Sequence, residues 1–325
     1  MTKPQCRICS NVDGNETFTV REMMFGTRDA FAYIQCAACG CVQIAGVPED
    51  LGRYYPADYY SYAPPRREGR VRALLQRLRA DHLLGRPNPV GWFITGRRGV
   101  PQAIAYVRRA PVGREHSILD VGCGTGELLL AMRSYGFRDL TGIDPFVERD
   151  VDYGNGVRVW KRELEDHEGR HDLVMLHHTF EHMESPQTVL ARIRELLTPG
   201  GTVLLRMPVA SSTAFARYRA DWVQLDAPRH LYLHTPRSLS LLAQRAGLEV
   251  ADVVYDSTAF QFWGSEQYRR DIPLRDPRSY LMNPAASPFT PAEIEAFAKR
   301  AHQLNEEGRG DQAAFYLRAV RVKQR

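Results

Sequence analysis

The chain has 325 residues, 44% of them hydrophobic, enough to bury one full core with appendages. No run of 18 apolar residues occurs, which excludes a membrane-spanning helix, and the first six residues carry no apolar signal core, so a cytoplasmic protein is expected. A net charge of +5 is too mild to demand a polyanionic partner.

Cysteine usage opens the chain. Cys6 and Cys9, then Cys36 and Cys39, form two C-x-x-C pairs, which in a reducing compartment read as metal ligands rather than disulfides. Two such knuckles supply four thiolates for a closed tetrahedral Zn2+ site, and strands at 16–20 and 31–35 form the hairpin that brings them together. A closed site leaves no position for substrate, so this zinc is expected to be structural. Residues 1–45 are therefore expected to be a zinc-ribbon-like module.

Residues 46–110 follow as a tyrosine-rich segment and an arginine-rich linker or cap. Five tyrosines fall within 53–62, including Tyr54, Tyr55, Tyr59 and Tyr60. Rigid rings with polar tips suit either the wall of a substrate site or packing between ribbon and main domain. Residues 66–114 hold twelve arginines against Glu68 and Asp81. Val71, Leu74, Leu75, Leu78 and Leu83 give a helix over 70–84, broken at 85–89, and a second helix is expected over 101–109. Such a stretch can be a solvated arginine face or can touch RNA, an anionic membrane or a nucleotide-linked substrate.

From Ser117 the pattern alternates strand and helix: strands at 117–121, 140–143, 157–160, 173–176, 202–207 and 248–255, and helices at 127–135, 186–197 and from Thr235-Pro236 to Gly247. The core is expected over 111–255, an insertion or cap near the substrate site over 256–311, and a closing strand in 312–325. The first strand ends in Gly122-Cys123-Gly124-Thr125-Gly126, small residues that let a ligand approach the backbone. Glu127 stands where a dinucleotide fingerprint needs its third glycine. Asp144, 24 residues after Asp120, ends the second strand, where an acid can accept both hydroxyls of a ribose.

Asp120-x-Gly122-x-Gly124-x-Gly126 resembles motif I of class I S-adenosylmethionine (SAM) methyltransferases. The resemblance implies an α/β fold: a seven-stranded Rossmann-like sheet with helices on both faces and its last strand antiparallel. It implies SAM contacts at Asp120, Gly122, Cys123, Gly124, Gly126, Asp144, Glu163, Leu164 and His177. Glu181-His182 with Pro186 resembles the Glu-His-x-x-x-Pro segment of a broad group that includes ubiquinone-pathway O-methyltransferases. Some members bind a divalent metal there; in this chain His178, Glu181 and His182 would be the ligands, with His230 the fourth. The ribbon, the tyrosines and the His230-Leu231 segment are also similar to bacterial deoxysugar C-methyltransferases, although Pro228 and Arg229 replace the first two residues of the His-Glu-His-Leu element of that family. His230 is the candidate general base. Trp222, Asp226, Arg229, Trp263 and Glu266 are candidate substrate contacts.

The function expected is methyl transfer from SAM to a small-molecule or glycan-type acceptor, at a hydroxyl. The alternatives are an RNA methyltransferase using the ribbon and the arginine-rich stretch, and a non-catalytic SAM-fold binding module.

Overall fold

A computed structural model describes residues 3–55 and 70–320. The ribbon begins with β1 (Glu16–Arg21) and β2 (Ala30–Gln35), an antiparallel hairpin whose inner residues Val20, Tyr33 and Ile34 are buried. After the second cysteine pair the chain turns at Gly40 (φ +75°), where a Cβ would stand 3.0 Å from the Thr235 methyl. It then enters β3 (Val42–Ile44), antiparallel to β2.

Three helices follow: α1 (Arg70–Leu83), α2 (Pro89–Arg98) and α3 (Gln102–Val107). The helix α2 was not expected, yet its start signal is present. The Asn88 side chain accepts from Gly91 N at 3.0 Å with Pro89 at the first helical position.

The main sheet comprises β4 (Ser117–Val121), β5 (Asp139–Ile143), β6 (Val151–Asp152), β7 (Val157–Trp160), β8 (His171–His177), β9 (Leu197–Pro208), β11 (Leu248–Tyr255) and β12 (Gln312–Ala319), in the order β11-β12-β9-β8-β4-β5-β7-β6. Neighbours from β9 to β7 run parallel, and β12 is antiparallel to both β9 and β11. The expected α/β sheet is present with eight strands instead of seven. The extra strand β6 is two residues long and folds back on β7 through a turn that Gly154 and Gly156 enter with positive φ.

Helices α4 (Glu127–Ser134), α5 (Pro186–Glu195) and α7 (Pro236–Arg245) carry the crossovers, with α6 (Thr213–Tyr218) between β9 and the loop that follows. The insertion over 256–311 folds as α8 (Phe260–Arg269) and α9 (Pro291–Glu306), the latter started by a Thr290/Glu293 capping box.

A two-residue strand, β10 (Tyr232–Leu233), leaves the core and pairs with β3 of the ribbon. One continuous apolar core therefore runs from Cys6, Ile8 and Ile44 through Leu231 to Leu205 and Phe315. A second core lies under α3 and α4 on the other face of the sheet. No helix among the described residues is long and apolar enough to cross a membrane.

Candidate active site

The strand β4 delivers a turn in which Gly122, Gly124 and Gly126 all have positive φ (+71°, +53° and +80°), a region that L side chains avoid. A Cβ on Gly122 would lie 2.4 Å from the Thr179 methyl, and one on Gly126 would lie 2.8 Å from a Val159 methyl. Asp144 locks the turn: its Oδ2 accepts from Gly124 N and its Oδ1 from Phe146 N, both at 2.9 Å. A carboxylate offers about four acceptor sites, so each oxygen keeps capacity for a ligand hydroxyl.

Asp120 is buried, and burial, with Asp144 nearby, pushes its carboxyl up to about 8; no hydrogen bond from the described residues offsets this. The turn borders a cleft of about 460 Å³ that Gln102 and Ala103 of α3 line from the other side. Glu163 is exposed and raised by partial burial and its acidic neighbours, whereas Leu164 is buried. Phe146, two residues after Asp144, is 75% exposed, and the sequence reading did not single it out. An aromatic residue just beyond a strand-end acid was the available signal. The His177 ring lies 4.8 Å from the Tyr106 ring, and its buried Nε2 has no partner among the described residues.

At the end of β8 the chain makes a sharp bend, with His178 at φ +53°, into a short 3-10 turn, Phe180–His182. The fully buried Glu181 carboxylate is the centre of the cluster. Burial alone would raise it, but the His178 hydrogen bond and the surrounding imidazoles hold it at about 2, so it is ionised. Its Oε1 lies 3.2 Å from His178 Nδ1, while its Oε2 is buried with no partner among the described residues.

The ring orientations follow from partners that can only donate or only accept. Arg206 donates to His178 Nε2, so the His178 proton sits on Nδ1 and points at Glu181. His182 Nδ1 donates to Arg229 O at 2.9 Å, and His230 Nδ1 donates to Gln224 O at 2.7 Å. Burial, then His230, push His182 down to about 4, so it is neutral near pH 7. His182 therefore keeps an Nε2 lone pair, and His230, with its Nδ1 on the Gln224 carbonyl, turns its Nε2 toward Glu181. The two rings meet edge-on with centroids 4.8 Å apart, and His230 Nε2 lies 3.9 Å from Glu181 Oε1. Ligand atoms of Glu181, His182 and His230 all lie within 4.8 Å of one another. His178 offers no lone pair to a metal, a correction to the four-ligand expectation.

Among the described residues, two of the expected substrate contacts, Tyr55 and Asp226, reach this cluster, with Asp226 Oδ2 3.9 Å from His230 Nε2. The Tyr55 hydroxyl lies 3.1 Å from His182 Nδ1. Tyr54 is buried and donates to Asp29 at 2.8 Å, and Tyr59 and Tyr60 lie outside the described residues. Arg229 is fully buried and donates to Asp226, to Glu22 at 3.0 Å and to Tyr54 O at 3.2 Å; Asp226 is its counter-ion. This pair clamps the His230 loop to the ribbon and spends four of the five guanidinium N–H groups on Asp226, Glu22 and Tyr54. Trp222 is likewise buried, donating to Asp311 at 2.9 Å. Trp263 belongs to a third apolar core with Met23, Met24 and Phe289, and Glu266 accepts from Arg217 and Tyr218, both at 2.8 Å. The insertion thus packs against the ribbon loop and turns these side chains inward.

The four ribbon cysteines converge. Cys6 and Cys39 Sγ are 3.7 Å apart, Cys9 and Cys36 Sγ are 3.5 Å apart, and all four lie within 4.8 Å of one another.

Residues 66–253 match the family described as "Methyltransferase domain", more than half of the chain. The chain belongs to that methyltransferase-domain family. Over 152 residues it is 36% identical to a ubiquinone biosynthesis O-methyltransferase of Bordetella avium, covering 41% of this chain and 61% of the relative. It is 29% identical over 153 residues to the protein of the same name from Aeromonas salmonicida, covering 42% and 64%. The chain thus spans about three-fifths of the length of these relatives. Among solved structures, a geranyl diphosphate C-methyltransferase of Streptomyces coelicolor aligns with a TM-score of 0.48 at 13% identity, covering 84% of this chain and 97% of that one.

In this methyltransferase-domain chain the donor sets fit the implied groups. Sulfur–sulfur edges of a tetrahedral zinc–thiolate site are about 3.8 Å for bonds near 2.3 Å, close to the cysteine spacings seen. For SAM, a buried carboxyl with no hydrogen bond from the described residues stands just before the turn at Asp120, and a carboxylate already oriented by two backbone amides stands at Asp144.

Proposed function

We propose that this protein is a SAM-dependent methyltransferase acting on a hydroxyl of a small-molecule acceptor, with His230 as general base. When bound, SAM supplies a methyl group already activated on a sulfonium centre. The chain's own part is to hold the reactants and manage one proton. Asp144 would take the ribose hydroxyls, Asp120 the amino group, and Gly122, Cys123, Gly124 and Gly126 the close backbone approach. Glu163 and Leu164 would border the base, with Phe146 beside them and His177 at the edge.

The observation that carries the reading is the orientation of His230. Its Nδ1–H is directed to the Gln224 carbonyl, which turns Nε2 toward the ionised Glu181, where the neutral ring would accept the acceptor's proton. Glu181 stabilises the imidazolium that results. The similarity to proteins named ubiquinone biosynthesis O-methyltransferase supports an oxygen acceptor on a small molecule; sugar and natural-product hydroxyls belong to the same class.

His230→Ala should retain SAM affinity by calorimetry and lose about a hundredfold or more in turnover against a panel of catechol and glycan hydroxyls. Undiminished turnover in the variant would sink the base assignment, and absent SAM binding in the wild type would sink the activity. The Glu181 Oε2, with no partner among the described residues, and the two Nε2 atoms favour one second reading, a divalent cation held by Glu181, His182 and His230 that lowers the hydroxyl's pKa. Turnover that survives chelation of the added divalent ions excludes it.

A further inference from the structure

The helical hairpin α1–α2 is built to be solid on one side and open on the other. Ala80 is fully buried in the second core, and Asp81 accepts from Arg114 at 2.6 Å, which ties α1 to the chain entering β4. The two helices cross very closely. A Cβ on Gly91 would stand 2.1 Å from Leu78 O, so only glycine permits this contact.

On the other side, large apolar side chains stand exposed with no cover from the described residues. Val71, Leu74 and Leu75, spaced i, i+3, i+4 on one stripe of α1, are 74%, 58% and 42% exposed. On α2, Val90, Trp92 and Phe93 are 47%, 66% and 52% exposed. Few soluble surfaces leave six large apolar side chains of one supersecondary unit in water.

Charge decides what covers them. Residues 70–98 contain seven arginines, of which Arg79 is buried, no lysine and a single acid, Asp81, already paired with Arg114. Arg77, Arg86 and Arg97 are exposed, and the Arg97 guanidinium sits 4.4 Å over the Phe93 ring. A cation stacked on an exposed aromatic keeps its charge at the level of the ring, as at a lipid headgroup boundary. An RNA would meet the arginines but leave the leucines and valines wet. With 14 and 10 residues, neither helix can span a bilayer, so each can only lie in its surface.

We infer that the α1–α2 hairpin docks onto an anionic phospholipid bilayer, sinking Val71, Leu74, Leu75, Trp92 and Phe93 into the interface while its arginines pair with lipid phosphates. Because Val100, 43% exposed, and Gln102 follow α2 directly, and Gln102 lines the SAM cleft, docking would set that cleft beside the lipid surface.

The test is co-sedimentation of the full chain with vesicles of phosphatidylcholine alone and of phosphatidylcholine with 30% phosphatidylglycerol. Partitioning should be at least about tenfold stronger on the anionic vesicles, and should weaken at high salt. The Trp92 emission should shift to the blue and be quenched by brominated acyl chains, a signal that Trp92→Phe removes. Leu74→Glu and Arg77→Glu should each weaken partitioning about fivefold or more with unchanged circular dichroism and SAM affinity. Equal partitioning on neutral vesicles, no partitioning at all, or an unquenched Trp92 overturns the inference. So does a concentration-dependent dimer that Leu74→Glu abolishes while vesicles stay unbound.

Discussion

Asp120 carries an electrostatic consequence that can be measured. Its carboxyl is raised to about 8 by burial and by Asp144, so below that pH it is largely protonated in the free protein. Because its native pKa lies above the ordinary value of 3.8, the unfolded chain binds fewer protons between those limits, and this group works against folding as pH rises through that window. In the proposed SAM complex the amino group would reverse the preference by pairing with the ionised form. Affinity for S-adenosylhomocysteine should therefore rise between pH 6 and 7.5, by up to about tenfold per unit, as the proton to be displaced becomes easier to lose. Asp120→Asn should flatten that dependence and weaken binding at pH 7.5. Calorimetry in buffers of different ionisation heat would show the released proton directly; a flat wild-type profile contradicts the pairing.

At the scale of the element, the turn after β4 fixes the cleft by close approach. Gly122→Ala puts a methyl into Thr179 and a side chain into the left-handed region, so it should destabilise the fold by about 1–3 kcal/mol, read as a lower urea midpoint at unchanged slope. Gly200 also has positive φ, but a Cβ there meets nothing, so Gly200→Ala should cost only the backbone term, about 1 kcal/mol. Equal losses at both positions would show that packing against Thr179 is not what demands glycine. This turn was legible in the sequence because its physics is local: glycine spacing, an acid two residues before, another at the next strand end. Glu181 and His182 were legible for the same reason, being consecutive residues at the carboxyl edge of a strand. Arg229 and Trp222 were not. Each looked like a substrate contact, and each is buried by a partner far along the chain, Glu22 for Arg229 and Asp311 for Trp222. The strand β10 was hidden because two residues carry no periodicity, and its partner lies nearly two hundred residues earlier.

Across the whole molecule, these long-range contacts make the ribbon part of the active site rather than an appendage. Tyr33 of β2 donates to His230 O at 2.9 Å, Ile44 N donates to Leu231 O at 3.0 Å, and Thr235 Oγ1 donates to Cys39 O at 2.7 Å. The Glu22–Arg229 pair adds a buried charge contact across the same seam. The segment holding the candidate base is thus held by backbone and side-chain bonds from a small module whose own core is thin. Four cysteine sulfurs at zinc-like spacing would close that module by holding a metal. Removing the metal with a strong chelator, or substituting Cys39→Ser, should lower the melting temperature and let the 226–235 segment drift. Turnover should then fall well before SAM affinity does, because no ribbon residue is among the described residues that line the cleft beside the Gly122–Gly126 turn. Metal content by mass spectrometry, melting temperature, SAM affinity and turnover, followed together through a chelator titration, separate the outcomes. A protein that loses its zinc while keeping full turnover would show that the seam holds His230 without help from the four cysteines.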